Sequence, residues 1–264
     1  MGNHAFEIDM TDFCDMDRGP PTTLTAKVVV VVMGSLSITL GLLVIFGWHM
    51  SSTLLVQVYP TLPPMPYIAS FGFVVIGAGL LFVVYERHLL GTLCGATAVI
   101  IGLSGLVQHL FAVDLAIDHF LVGNIISRPG RMSPNTALAF LLTGGSLAST
   151  VVPHLRVRRT ITLVPIATVI FSLGVLGFVG DVVGIETTYG LGSMARMAIH
   201  AAAGFIVMGL GIGAFGWGRT RPQIPDMSAM RRAVIAYATV GVLLMGLFSA
   251  LVIMLPLYDQ LYKA

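Results

Sequence analysis

Apolar residues along this chain run in long blocks, and polar residues gather between them. Seven blocks stand out, at about residues 27–48, 67–85, 89–111, 133–152, 160–180, 194–217 and 233–256. A hydrocarbon core about 30 Å thick takes roughly 20 apolar residues per helix. The pattern therefore predicts an all-α, polytopic membrane protein with a seven-helix membrane domain over residues 27–256. Except at their ends, the blocks hold no Asp, Glu, Lys or Arg. Residues 1–26 form an acidic tail (Glu7, Asp9, Asp12, Asp15, Asp17) with no basic stretch of the kind that opens a signal peptide. Residues 257–264 are a short tail beyond the last span.

A repeat runs through the even-numbered blocks. Met65, Ala69, Ser70, Phe73 and Gly77 recur in order as Met132, Thr136, Ala137, Phe140 and Gly144, and again as Met197, Ala201, Ala202, Phe205 and Gly209. Each set reads Met, a small residue at +4 and +5, Phe at +8 and Gly at +12. Such spacing keeps to one helix face, where small residues permit close crossings and Phe fills the gap beside them. The chain thus reads as three repeated two-helix hairpins plus a final helix. Taken alone, the motif is either a packing ridge or the mark of three helix N-termini meeting at one membrane surface. In the latter case their free N–H groups favour an anionic or carbonyl-rich ligand.

Lys and Arg set the orientation. With the N-terminus inside, Arg18, Lys27, Arg87, Arg156, Arg158, Arg159, Arg219, Arg221, Arg231 and Arg232 lie inside, against Arg128, Arg131, Arg196 and Lys263 outside. This predicts an N-in/C-out protein, with the bacterial inner membrane as its place.

Composition narrows the function. The chain is 56% apolar and 10% charged, with a mean hydropathy of +0.92. Soluble domains carry about 25% charged residues, so a soluble enzyme is excluded. A net charge of +2, scattered along the chain, gives no footprint for nucleic acid. Cys14 and Cys94 lie far apart and form no disulfide framework or metal motif. Hydrolase, P-loop and dinucleotide motifs are missing, no span has a central Lys for a Schiff base, and no midplane acid or base supports a proton-coupled transporter. The chain is read as a non-enzyme with the lipid bilayer as its first partner. A homodimer or a larger membrane complex is a further expectation.

The outer loops carry the varied polar residues. Loop one, from His49 to Met65, is proline-rich and uncharged; loop two carries Asp114, Asp118, His119, Arg128 and Arg131; loop three carries Asp181, Glu186, Tyr189 and Arg196. At +3 the repeats diverge as Ile68, Asn135 and His200. Divergence on a shared frame points to one asymmetric site. The candidate ligand-binding residues are Asp118, His119, Arg131, Asn135, Glu186, Arg196 and His200, for a small-molecule or ion ligand. Charged residues near hydrocarbon persist when paired, hydrated or bound. Arg131 and Arg196 each precede a motif Met, at a helix end already positive, so an anion or carboxylate must answer them. Imidazole and thioether together also suit copper, so His109, His119 and His200 are alternative ligands of a metal or haem in a redox protein. A structural subunit of a larger complex is the third reading. No cofactor is identified.

The stretch Pro129-Gly130-Arg131-Met132-Ser133-Pro134-Asn135-Thr136-Ala137-Leu138-Ala139-Phe140 resembles a segment of the N-terminal multi-span regions of bacterial sensor histidine kinases and diguanylate cyclases. Ala116-Ile117-Asp118-His119, the run from Met197 to Ala202, and Arg231-Arg232 before the last span fit the same pattern. These regions are grouped as MASE-type sensor domains, and the likeness covers roughly residues 28–256. It implies a membrane sensory input module for signal transduction, with no catalytic residues to carry over. No kinase, cyclase, PAS or HAMP segment is found in the 264 residues. The chain is accordingly read as an input region taken alone or as a stand-alone relative.

Overall fold

In a computed structural model residues 24–58, 62–111, 132–152, 159–183 and 197–217 are described, and the first six apolar blocks carry helices there. The elements are α1 (Leu24–His49), α2 (Thr53–Gln57), α3 (Tyr67–Val84), α4 (His88–Leu110), α5 (Pro134–Ala148), a 3-10 turn (Ser149–Val151), α6 (Arg159–Val183) and α7 (Ile199–Trp217). No strand occurs among the described residues. Five helices, α1, α3, α4, α6 and α7, are long and apolar enough to cross a membrane. The fourth expected span is shorter than the pattern predicts: α5 has 15 residues, and the 3-10 turn continues it. The seventh expected span, at 233–256, lies outside the described residues.

Local chemistry sets the helix ends. Ser133 caps α5, its Oγ accepting the Thr136 N–H at 3.3 Å, and Pro134 opens the first turn where a missing N–H costs nothing. Between α3 and α4 the chain reverses within three residues. There Arg87 N–H donates to Phe82 O at 2.8 Å and Glu86 N–H to Val83 O at 3.2 Å, with Glu86 at a φ of 63°. This is the left-handed helix end that glycine usually fills.

Helices pack in pairs, α1 with α3, α4 with α5, and α6 with α7. Glycines let the backbones touch. A Cβ on Gly77 would stand 2.7 Å from Gly34 O, one on Gly144 2.6 Å from Gly95 O, and one on Gly209 2.9 Å from Ala167 O. Seven residues further along the first helix of each pair, Gly41, Gly102 and Gly174 press on the carbonyls of Ser70, Ala137 and Ala202. These contacts align the pairs position by position: Gly34 with Gly95 and Ala167, and Gly41 with Gly102 and Gly174.

The second helices, α3, α5 and α7, run parallel and share a seam. Its first layer is Ala69, Thr136 and Ala201, and its second is Phe73, Phe140 and Phe205. Ile76, Thr143 and Met208 follow, then Leu80, Leu147 and Ile212, and finally Val83, Thr150 and Phe215; all fifteen are buried. The alternating steps of four and three are the heptad spacing of a left-handed coiled coil. The three phenyl rings pack against one another with centroids 5.3, 4.8 and 5.1 Å apart. Each ring needs a notch on the next helix. Phe140 lies over Gly72 and Phe73 over Gly204, while Ala139, at the third corner, is fully buried. Two turns on, Leu147 lies over Gly79 and Leu80 over Gly211 in the same cyclic sense.

The first helices fill the outer gaps. α4 lies beside α3, with Cys94 Cβ 2.8 Å from a Cβ on Gly79. α6 lies beside α5. α1 lies beside α7, with Met33 Cβ 3.1 Å from a Cβ on Gly211. The circle of pairs is therefore closed.

Candidate functional site at the methionine end

The three motif methionines lie just before the starts of α3, α5 and α7, and all are buried. Each inner helix begins two residues after its Met, at Tyr67, Pro134 and Ile199. A Cβ on Gly105 would stand 3.0 Å from the Met132 sulfur, and one on Gly177 2.9 Å from the Met197 sulfur. Val44, also buried, holds the matching place in the first pair.

Helix lengths shape this end. Beyond the crossings at Gly41, Gly102 and Gly174, α1 continues to His49, α4 to Leu110 and α6 to Val183, whereas the inner helices begin three residues above the matching carbonyls. At about 1.5 Å per residue, the outer helices overtop the inner ones by roughly 8 Å. Among the described residues alone, the outer helices thus frame a recess with inner-helix N-termini as its floor. In the first pair the recess is filled. α2 folds back so that Leu55 lies on Gly47, Met65 N–H donates to Val56 O at 3.0 Å, and Trp48 Nε1–H donates to Met65 O at 3.0 Å. Gln57 Nε2–H also donates to Leu62 O.

The floor is polar in the other two pairs. Asn135 and His200 are each the second residue of their helix, at the place Ile68 takes in α3. Asn135 Oδ1 and His200 Nδ1 are buried and have no hydrogen-bond partner among the described residues. Residue +3 projects about 130° away from the seam at about 100° per residue. Asn135 and His200 therefore occupy corresponding but separate corners, and the two are not brought into direct contact.

Of the other sequence-predicted site residues, Asp118, His119, Arg131, Glu186 and Arg196 lie outside the described residues. His109 is half-buried in the last turn of α4. No group of three His, Cys, Asp or Glu among the described residues is close enough to hold a metal ion, so His109 and His200 gain no third ligand there. His49 points elsewhere, its Nδ1 2.9 Å from Ile45 O and its ring 6.0 Å from that of Tyr67. Asp181, expected in loop three, is half-buried inside α6, because the helix runs one turn past the apolar block.

Sequence reasoning missed a second set of corresponding residues. Trp48 stands seven residues beyond Gly41; His109 and Asp181 stand seven beyond Gly102 and Gly174. An indole anchors the first pair where ionisable side chains stand in the others. The signal was present as small residues seven apart in each first helix: Gly34 and Gly41, Gly95 and Gly102, Ala167 and Gly174. Comparison with protein families, curated proteins and solved structures gives no match to this chain.

Proposed function

We propose that this protein is a membrane sensory input module without enzymatic activity, which binds a small polar ligand in the recess at its methionine end. In this reading it comprises three repeated hairpins and a seventh span. It sits in a bacterial inner membrane with the N-terminus in the cytoplasm and the methionine end outside. The corresponding glycine crossings, the cyclic packing of Phe73, Phe140 and Phe205, and the shared helix starts support the repeat. The filled seam favours a binding role over a conduit along the axis.

One observation carries the ligand. Asn135 Oδ1 and His200 Nδ1 are buried and without a hydrogen-bond partner among the described residues, at the same motif position in the two pairs that α2 does not cover. An unmet buried polar group costs roughly 1–3 kcal/mol, and such a cost is retained where a ligand meets it. The test needs no ligand. Asn135→Leu and His200→Leu are expected to raise the melting temperature of the ligand-free protein in detergent, each by the equivalent of about 1 kcal/mol. If either substitution lowers the melting temperature, the side chain has an internal partner and the binding site is lost from the reading.

A further inference from the structure

The three joints of the circle are not alike. At each joint the seam side chains of one inner helix press on the next, and an outer helix lies alongside. On α3 the receiving positions are Gly72 and Gly79, under Phe140 and Leu147; on α7 they are Gly204 and Gly211, under Phe73 and Leu80. The corresponding positions on α5 are Ala139 and Ser146, both buried. The cyclic sense sets Phe205 and Ile212 of α7 against them. A Cβ on Gly72, Gly79 or Gly211 would stand 2.6, 2.9 or 2.7 Å from the covering side chain. Carbon atoms settle about 3.5–4.0 Å apart, so the Cβ atoms of Ala139 and Ser146 hold α7 off α5 by roughly 1 Å more than glycine allows elsewhere.

The same two residues bear on the outer helices. Gly79 also meets α4, with Cys94 Cβ 2.8 Å from a Cβ placed there, and Gly211 meets α1, with Met33 Cβ at 3.1 Å. Gly91 of α4 adds a second notch, filled by Val83, whereas the matching residue of α6 is Leu163. Ser146 offers α6 no notch. Among the described residues α6 is accordingly far less closely apposed to α5 than α4 is to α3 or α1 to α7. α5 has 15 residues against 18 in α3, too small a difference to account for this. Nor do the hydroxyls of α5 tie the joint: Thr143 Oγ1–H donates to Ala139 O at 2.7 Å and Ser146 Oγ–H to Leu142 O at 2.8 Å, both within the helix. We infer that the circle opens at one joint, between α5 and the α6–α7 pair, while its other two joints stay shut. α6 and α7 move as one body, tied by the crossings at Gly174 and Gly209. Asn135 and His200 belong to the helices on the two sides of that joint, but the inference does not depend on the ligand.

Tyr85, Val152 and Trp217 correspond at the far ends of the three inner helices and are 66%, 41% and 54% exposed. Nitroxide labels on cysteines at these positions, two at a time, report one joint each by double electron–electron resonance. The full chain in lipid bilayers is used, after Cys14→Ser and Cys94→Ala remove the native thiols. The Val152–Trp217 distance distribution is expected to be about twice as wide as those of Tyr85–Val152 and Tyr85–Trp217, as a joint with two populated positions gives. Each label serves in two pairs, so motion confined to one label site widens two distributions and is told apart. Ala139→Gly with Ser146→Gly supplies the missing notches and is expected to narrow Val152–Trp217 to the width of the others. Ser146→Gly alone serves if the double variant does not fold. Three equal widths, or a width not confined to Val152–Trp217, would overturn the inference. So would a Val152–Trp217 distribution that stays wide once the notches are in place.

Discussion

A Cβ on Gly72 would stand 2.6 Å from the Phe140 ring, and one on Gly204 would overlap the Phe73 ring. Neither ring has room to retreat, because each also packs against Phe205. Gly72→Ala and Gly204→Ala are therefore expected to destabilise by about 1–3 kcal/mol each, as overpacking does. Gly145→Ala is the contrast. Nothing lies within 4 Å of its Cβ position, so the change should be neutral or stabilise by about 0.5–1 kcal/mol. Thermal melts in one detergent would check all three, and equal losses would remove the notch explanation. The motif spacing made Phe73, Phe140 and Phe205 legible as gap-fillers. It could not show that the gaps belong to the neighbouring helix, because a sequence lays out one helix face at a time. The polar +3 residues were legible for a similar reason: they vary where the frame does not.

At the scale of elements, turns and ends decide what pattern-reading captures. Glu86 holds a left-handed conformation at the close of α3, which costs a side-chain-bearing residue about 1 kcal/mol or more. Glu86→Gly should raise stability by roughly 1 kcal/mol, less whatever the Glu86 side chain contributes in the native state. A fall in the unfolding midpoint would mean that the side chain matters more than the backbone. The long blocks foretold α1, α3, α4, α6 and α7 closely, since twenty apolar residues leave little choice of element. The five-residue α2 was not foretold, being too short to show a period. Nor was the recess. It depends on how far each outer helix outruns its partner, and that becomes visible once the glycine crossings fix a common level. The pairing of Gly34 with Gly77, and of Gly95 with Gly144, needed both helices of a pair to be read together.

For the molecule as a whole, the first matter is which end faces out. The distribution of Lys and Arg predicts that the methionine end is external. With the native thiols removed, Asp118→Cys should react with a membrane-impermeant maleimide on intact cells, and Val157→Cys should react after lysis alone. The reverse pattern would place the recess in the cytoplasm and end the reading of an outward-facing sensor. Charge counting gives this prediction without any help from packing. The seam required three dimensions, because five layers of three side chains draw on helices more than sixty residues apart in sequence.

The contact of α7 with α1 has an arithmetic consequence. A linear stack of repeats can lengthen or shorten by one unit and still present two ends, so its copy number drifts freely. A circle has no ends, and its number of units is bound to the width of the axis they enclose. Three phenyl rings meet with centroids about 5 Å apart. A fourth would open a hole at that level, and removal of one would leave two flanks bare at once. Among the described residues three pairs close the circle, so on the proposed repeat a duplication or loss of one hairpin would change the fold itself and not merely its length.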